Sequence, residues 1–344
     1  MHTSGLSVRL ALTVAVGLCL AGTIAATATD DPPRVEEIRF RSGPFELVGD
    51  LVLPAAAGPH PAVVLVAGDG PNTRTQFPGY WDARHRFGDA GFAVFSWDKP
   101  GSGASSGELV SDVISKRADI LIDAIDTLTA HPDIDAERIG LWGLSQAGWV
   151  MPMALGRDPG IDFMVVVSGG GEDSIDQGMY IVGQRLVCRG AAPELGALAK
   201  EVGSRAFKAT TYEEYVAAVT EALAIPDVQL VYPVEIRPED EWAPLPRELE
   251  SFFDPMTVVE QVDIPILAVY GELDRYVDPV QGAAAYAAAF EAAGNEDGHV
   301  ELVPGVGHTM LGQRTGCPGE PAGLTSGRYL ELLDTFITRL VARG

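Results

Sequence analysis

One serine stands in a sequence setting that favours a nucleophile. Residues 143–148 read Gly-Leu-Ser-Gln-Ala-Gly, so Ser145 has a glycine two positions before it and a small alanine two positions after it. The pattern at 138–142 predicts a strand and that at 146–155 predicts a helix. A serine on a sharp turn between strand and helix needs small neighbours, because larger side chains would collide there. This context indicates a nucleophile elbow at Ser145.

A base and an acid for this serine are available downstream. A serine hydroxyl is a weak nucleophile at neutral pH and needs a general base that is itself held in place. Asp274 follows a predicted strand at 264–270, and His308 follows a predicted strand at 300–303. We therefore predict Ser145 as the nucleophile, His308 as the general base and Asp274 as the acid that orients the histidine.

Three other residues compete for these roles. Asp278 lies close to Asp274, but it precedes Pro279 and is better interpreted as a helix cap. His299 lies at the start of the last strand instead of after its end. Asp98 follows a strand in the sequence Asp-Lys-Pro-Gly, and we expect it to stabilise that turn through hydrogen bonds to the backbone.

An α/β sheet is needed to bring the three predicted residues together. Short apolar strands alternate with amphipathic helices between residues 62 and 167 and again between 264 and 341. This alternation predicts a doubly wound, mostly parallel sheet of eight strands with helices on both faces. Between residues 170 and 255 three helical patterns interrupt the alternation, which predicts a helical cap inserted after strand 6. The predicted catalytic domain is 29–169 and 256–344, and the predicted cap is 170–255.

The chain resembles the α/β-hydrolase superfamily over most of its length, and its motifs look closest to bacterial serine carboxylesterases and related acyl hydrolases. The similarity lies in four motifs that occur in the expected order at strand ends: Asp98–Ser105, Trp142–Trp149, Gly271–Asp274 and Gly305–His308. The resemblance implies that the serine attacks an acyl carbonyl, that the histidine takes and returns its proton, and that water then hydrolyses the acyl-serine.

An oxyanion hole would complete such a site. The backbone N–H of Gln146, directly after the serine, is one expected donor, and the loop after the third strand would supply another. In that loop we choose the N–H of Asp69, with Gly70 as the alternative. Many relatives carry His-Gly at this turn, where this chain has Ala67-Gly68, so both amides remain open on the sequence alone.

The N-terminal segment predicts export. Arg9 is followed by an uncharged, apolar run from Leu10 to Thr29, which is typical of a signal peptide over residues 1–28. An uncleaved N-terminal anchor is the alternative. We expect a secreted or periplasmic protein, in which Cys188 and Cys317 remain as an even pair in an oxidising compartment. The two cysteines form either a disulfide or two separate thiols, and the sequence leaves both interpretations open.

The composition and the motifs exclude several classes of function. The chain of 344 residues has 24 Lys and Arg against 48 Asp and Glu, a formal charge of −24, which argues against a nucleic-acid partner. No Cys/His cluster has metal-ligand spacing and no Gly-x-Gly-x-x-Gly follows a strand, so we expect no metal and no cofactor. We expect no stable membrane association after signal cleavage.

We therefore predict a serine hydrolase that cleaves small or medium-sized uncharged carboxylic esters. A serine exopeptidase or amidase, a thioesterase and an acyltransferase are alternatives on the same fold. A non-catalytic binding protein is a further alternative, although such proteins commonly lose a triad residue. Several aromatic residues of the cap are candidates for an acyl pocket, but packing is the simpler interpretation of each: Tyr180, Tyr212, Tyr215, Trp242, Phe252 and Phe253.

Overall fold

The computed structural model describes residues 32–76, 79–108, 114–157 and 160–343; the predicted signal peptide, residues 1–28, lies outside the described residues. In this described part, eight strands form one sheet. In chain order they are β1 (Arg34–Ser42), β2 (Phe45–Leu53), β3 (His60–Val66), β4 (Ala93–Trp97), β5 (Ile134–Leu144), β6 (Met164–Val167), β7 (Ile266–Gly271) and β8 (Gly298–Val303).

The spatial order of the strands is β1-β2-β4-β3-β5-β6-β7-β8. The strands β1 and β2 pair antiparallel, β2 is antiparallel to β4, and all the remaining neighbours are parallel. Every residue of β4, β6 and β7 is buried, as expected for strands that are covered on both faces. The predicted eight-stranded, mostly parallel sheet is confirmed.

Helices cover both faces of the sheet. In chain order the described helices are α1 (Tyr80–Asp89), α2 (Ile114–Thr129), α3 (Ala147–Leu155), α4 (Ser174–Cys188), α5 (Pro193–Lys208), α6 (Tyr212–Leu223), α7 (Val228–Val231), α8 (Met256–Val259), α9 (Pro279–Ala293) and α10 (Gly327–Arg343). Helices α1 and α10 pack on one face, and α2, α3, α8 and α9 contribute to the core on the other. The two cores fix the sheet between them and so fix the ends of its strands.

Helix α1 is an element that the sequence analysis does not predict. It has 10 residues, and its buried side chains Tyr80, Ala83 and Phe87 follow helical spacing. Most of the other residues of this short helix are polar, so its apolar face consists of only a few side chains. The spacing of those three residues is the signal that would have found it.

The segment between β6 and β7 contains α4 to α7 and two 3₁₀ turns, at Glu239–Glu241 and Glu250–Phe252. Helices α4 and α5 approach closely at Gly183 and Gly196: a Cβ on Gly183 would lie 2.2 Å from the carbonyl oxygen of Gly196. The helical cap after strand 6 is therefore confirmed. None of the helices in the described residues has the length and apolar composition needed to cross a bilayer.

A disulfide joins the cap to the catalytic part of the chain. Cys188, the last residue of α4, is bonded to Cys317 in the segment between β8 and α10, and their Cα atoms lie 5.6 Å apart. The two residues are separated by 129 positions in the sequence. The end of the first cap helix is thus covalently held near the loop that follows His308.

Candidate active site

Ser145 lies on the turn between β5 and α3. Its φ is 62°, a left-handed conformation that costs a non-glycine residue on the order of 1–3 kcal/mol. Two backbone hydrogen bonds hold this turn: Ser145 N–H donates to the carbonyl of Val167 at 2.9 Å, and Gly148 N–H donates to the carbonyl of Ser145 at 2.8 Å. The strained conformation lifts the serine out of the sheet at the carboxyl end of its strand.

The small residues around the serine are required by direct contact. A Cβ on Gly143 would lie 2.5 Å from the Cβ of Ala147, and one on Gly148 would lie 2.2 Å from the carbonyl carbon of Gly169. A Cβ on Gly169 would in turn lie 2.2 Å from the carbonyl oxygen of Ser145. Larger side chains at these positions would push the turn apart, so the motif is explained by its packing.

Asp274 lies in the loop after β7 and is 1% exposed. Its Oδ1 accepts hydrogen bonds from the backbone N–H groups of Tyr276 at 2.7 Å and Val277 at 3.0 Å. Its Oδ2 lies 2.8 Å from Nδ1 of His308. The two backbone donors fix one oxygen of the carboxylate, which aims the other at the histidine.

His308 follows β8, and its side chain is 16% exposed. Because Oδ2 of Asp274 accepts at Nδ1, the proton of the neutral imidazole is assigned to Nδ1, which leaves Nε2 as an acceptor. The ring also packs against Tyr276, with centroids 5.1 Å apart. A histidine in this tautomer is suited to take a proton from a hydroxyl group.

The three predicted residues follow parallel strands of the same sheet. Ser145 follows β5, Asp274 follows β7 and His308 follows β8, so all three lie at the carboxyl edge. The hydroxyl of Tyr270, on β7, donates to the carbonyl of Gly169 at 2.8 Å, and Gly169 packs against the serine turn. This contact ties the strand that leads to the acid to the loop beside the nucleophile.

The two residues predicted for the oxyanion hole lie on separate loops. Gln146 precedes α3, and the loop with Asp69 follows β3. The side-chain Oδ1 of Asp69 accepts from the N–H of Gly70. The Gly70 amide, the alternative donor, is thus hydrogen-bonded within its own loop.

Two cations that the sequence analysis does not single out lie against these loops. Lys99 and Arg117 donate to carbonyl oxygens of residues 67–70, and Arg117 also donates to the side chain of Gln146. Lys99 belongs to a turn motif and Arg117 to the polar positions of an amphipathic helix. Nothing in the sequence distinguishes them from other basic residues, because their partners come from distant parts of the chain.

A partly buried group of three charged residues connects the cap to the sheet edge near the serine. Lys200 of α5 contacts Glu172 at 2.7 Å and Asp278 at 3.1 Å. Glu172 follows the three glycines after β6, and burial raises the pKa of its carboxyl to about 7 against the lowering effect of Lys200. The cap is therefore held to this edge by charged as well as apolar contacts.

The competing residues have other roles in the structure. Asp278 is the N-cap of α9, where its Oδ1 accepts from the N–H of Gln281 at 3.1 Å, as predicted for a helix cap. His299 lies within β8. Asp98 accepts from the N–H of Ala104 at 2.8 Å and so stabilises its turn, also as predicted. Among the described residues, no group of three or more His, Cys, Asp or Glu has the arrangement of a metal site.

The cap contains a partly open cavity of about 260 Å³. Tyr215 and Trp242 form part of its wall and stack on each other with centroids 5.5 Å apart, and Met179 and Val182 of α4 line another side. None of the described residues that line this cavity belongs to the predicted triad. Tyr215 and Trp242 thus both line this cavity and pack against each other.

Comparison with known proteins identifies the family. The sequence profile of the X-Pro dipeptidyl-peptidase family (S15 family) matches residues 43–308, which is more than half of the chain. A thiohydrolase, apmlB, of Arthrinium phaeospermum is 34% identical over 89 residues, 26% of this chain and 29% of that protein. An uncharacterized 31.7 kDa protein of Escherichia coli is 31% identical over 106 residues, 31% of this chain and 36% of that protein. The chain thus spans about a third of the length of the curated relatives it matches.

Solved structures show the same fold at low sequence identity. The Pyrococcus furiosus esterase Pf2001 has a TM-score of 0.56 at 14% identity, covering 90% of this chain and 93% of that one. The α/β hydrolase GrgF of Penicillium sp. sh18 has a TM-score of 0.53 at 20% identity, covering 90% and 99%. Dipeptidyl peptidase 4 of Porphyromonas gingivalis has a TM-score of 0.51 at 19% identity, covering 90% and 35%. The chain has the α/β-hydrolase fold and belongs to the X-Pro dipeptidyl-peptidase (S15) family.

Proposed function

We propose that this protein hydrolyses carboxylic esters through an acyl-serine intermediate on Ser145. The observation that carries the proposal is the 2.8 Å contact between Nδ1 of His308 and Oδ2 of the buried Asp274. Asp274 and His308 follow β7 and β8, and one strand, β6, separates β7 from β5, which leads to Ser145. A histidine oriented by a carboxylate and a serine on a strained turn are the parts that acyl transfer needs.

The proposed reaction runs in two steps. In the first, Nε2 of His308 takes the hydroxyl proton as Oγ of Ser145 attacks the ester carbonyl, and the protonated histidine then gives this proton to the departing alkoxide. In the second, the same histidine takes a proton from water as the water attacks the acyl-serine, and it returns this proton to Oγ of Ser145 as the carboxylic acid leaves. Asp274 stabilises the imidazolium in both steps.

The negative oxygen of each tetrahedral intermediate would be bound by two backbone N–H groups. We assign these donors to Gln146 and Asp69. Gln146 precedes the N-terminus of α3, where unpaired N–H groups and the helix dipole favour negative charge. We take the substrate to be a small or medium-sized uncharged acyl ester, because the cap helix α4 lies against the loop of Asp274, where the Tyr180 hydroxyl donates to the Asp274 carbonyl.

A second candidate is the release of dipeptides that end in proline. The match of the S15 family profile to residues 43–308 favours it. The same triad would cleave an amide if His308 protonated the departing amine, so the difference lies in the groups that bind the substrate and not in the nucleophile.

A paired substrate assay tests both candidates. The purified full chain is incubated with p-nitrophenyl butyrate, with Ala-Pro-p-nitroanilide and with an acyl thioester, and is labelled with a fluorophosphonate. We expect the ester to give the highest kcat/KM, and Ser145→Ala to abolish both turnover and labelling. Ser204→Ala, in the cap helix α5, serves as the control. A higher kcat/KM for the peptide anilide would reassign the protein as a peptidase, and an unlabelled, inactive wild-type protein would overturn both candidates.

We also propose that the protein is exported and works outside the cytoplasm. The disulfide between Cys188 and Cys317 supports an oxidising compartment, because such bonds persist there. N-terminal sequencing of protein recovered from the medium or periplasm tests the proposal. A start close to residue 29 is expected, and full-length protein retained in the cytoplasm would contradict it.

A further inference from the structure

Two cations contact the segments on both sides of the proposed oxyanion site. Lys99 follows β4 and is 7% exposed, and Arg117 belongs to α2 and is partly buried. Both reach the loop that follows β3, although they come from different elements. Together they donate to the carbonyl oxygens of Ala67, Gly68 and Gly70.

Lys99 binds the peptide groups next to Asp69. Its Nζ donates to the carbonyl oxygen of Gly68 and, at 2.8 Å, to the carbonyl oxygen of Gly70. The carbonyl of Gly68 and the N–H of Asp69 belong to the same planar trans peptide and point in opposite directions. Because Lys99 holds the Gly68 carbonyl, the N–H of Asp69 points away from the ammonium group of Lys99.

Arg117 links this loop to the residue after the nucleophile. One nitrogen of its guanidinium donates to the carbonyl oxygen of Ala67, and another donates to the side-chain Oε1 of Gln146. A guanidinium is a planar, rigid fork, so two such hydrogen bonds fix the separation of their acceptors. The two loops that carry the proposed oxyanion donors are thus joined by one side chain.

We propose that Lys99 and Arg117 are positioning residues of the oxyanion hole. Lys99 orients the N–H of Asp69, and Arg117 sets the distance between that N–H and the N–H of Gln146. The inference rests on the proposed function, because it assigns a role in the same acyl-transfer site. Neither side chain needs to touch the substrate.

The physical reason is preorganisation. Donors to an oxyanion accelerate a reaction only if they already point at the place where charge develops, and removal of one such donor costs about 10²–10³ in kcat. A carbonyl oxygen turned into the site would repel the developing charge. The two cations bind the carbonyl oxygens of residues 67, 68 and 70, which keeps these acceptors turned toward the positive charges.

The test compares Lys99→Met, Arg117→Met and Arg117→Lys with Lys116→Met, an exposed neighbour on α2 that serves as the control. For each, kcat and KM for p-nitrophenyl butyrate are measured with the Kd for an alkylboronic acid, whose tetrahedral adduct with serine mimics the intermediate. We expect both methionine variants to lower kcat by about 10–100-fold with KM within about threefold, and to weaken boronate binding in parallel. Arg117→Lys should recover part of the loss, and the control should leave all three quantities unchanged.

Several outcomes would overturn the inference. An unchanged kcat in folded variants, a rise in KM alone, or a loss of kcat without weaker boronate binding each excludes a role in orienting the oxyanion donors. If Lys99→Met does not fold, the comparison of Arg117→Met with Arg117→Lys tests the inference, because Arg117→Lys keeps the positive charge. Failure of the proposed function is distinguished by the wild-type protein, which would then show neither turnover nor fluorophosphonate labelling.

Discussion

The hydroxyl of Tyr180, on the cap helix α4, donates to the backbone carbonyl of Asp274 at 2.8 Å. Two further residues on the same side of α4 contact this loop: Gln177 donates to the carbonyl of Tyr276 at 2.7 Å, and Gln184 accepts from Arg275 at 2.8 Å. Their spacing of three and four positions places them on one helix face. The cap is therefore part of the framework that holds the proposed catalytic acid.

Tyr180→Phe is expected to reduce kcat about two- to tenfold and to lower the free energy of unfolding by about 1 kcal/mol, because it removes one buried hydrogen bond to the acid loop. Ester kinetics and urea unfolding measure the two effects. Tyr212→Phe is the matched control, since its hydroxyl donates to the carbonyl of Arg237 within the cap. Equal losses of kcat in both variants would show that the effect is not specific to the acid loop.

The disulfide between Cys188 and Cys317 is expected to stabilise the fold by about 2–5 kcal/mol, because it closes a long segment of chain in the unfolded state. Addition of a reductant should therefore shift the urea midpoint of the wild-type protein downward. The double variant Cys188→Ser with Cys317→Ser should start at the lower midpoint and show no response to the reductant. Free thiols in mass spectrometry of the non-reduced protein would contradict the pairing itself.

The sequence predicted the fold and the local setting of Ser145 because both depend on short-range patterns. The alternation of strands and helices is visible residue by residue, and the small residues around the serine are forced by contacts within the turn. The loops of Asp274 and His308 could be placed at one sheet edge because carboxyl ends of parallel strands meet there. Helix α1 was missed because its three buried residues stand among many charged ones.

The contacts of Lys99, Arg117 and Tyr180 could not be predicted in this way. Lys99 and Gly68 are 31 positions apart, Arg117 and Ala67 are 50 apart, and Tyr180 and Asp274 are 94 apart. Each contact is decided by how whole elements pack and not by local spacing. The same holds for Lys200, whose partners lie on the sheet edge although it belongs to a cap helix with an ordinary amphipathic pattern.

Asp274→Asn is expected to lower kcat for ester hydrolysis by about 10³–10⁴-fold with little change in KM. The amide N–H₂ of asparagine would face Nδ1 of His308 as a donor, which favours the tautomer with the proton on Nε2, where the base is needed. Asp278→Asn, at the N-cap of α9, is the matched control and should keep kcat within a few-fold. A large loss of kcat in the control with normal activity in Asp274→Asn would reverse the assignment of the acid.

The stability of the protein is expected to carry a pH dependence from Glu172. Burial raises the pKa of this carboxyl from its usual 4.5 to about 7, although Lys200 opposes the shift and the charges of Asp278 and Asp176 add to it. Between pH 4.5 and pH 7 the folded protein then binds more protons at this site than the unfolded chain, so this contribution to the free energy of unfolding decreases as the pH rises, by about 1–3 kcal/mol. Urea unfolding between pH 5 and pH 7.5 measures this decrease in the free energy of unfolding. Glu172→Gln should remove the part of the decrease that comes from Glu172, whereas Glu241→Gln, on an exposed 3₁₀ turn, should retain it. A wild-type curve with the same slope as that of Glu172→Gln would mean that the carboxyl is already ionised at pH 5, with the pair to Lys200 outweighing the cost of burial.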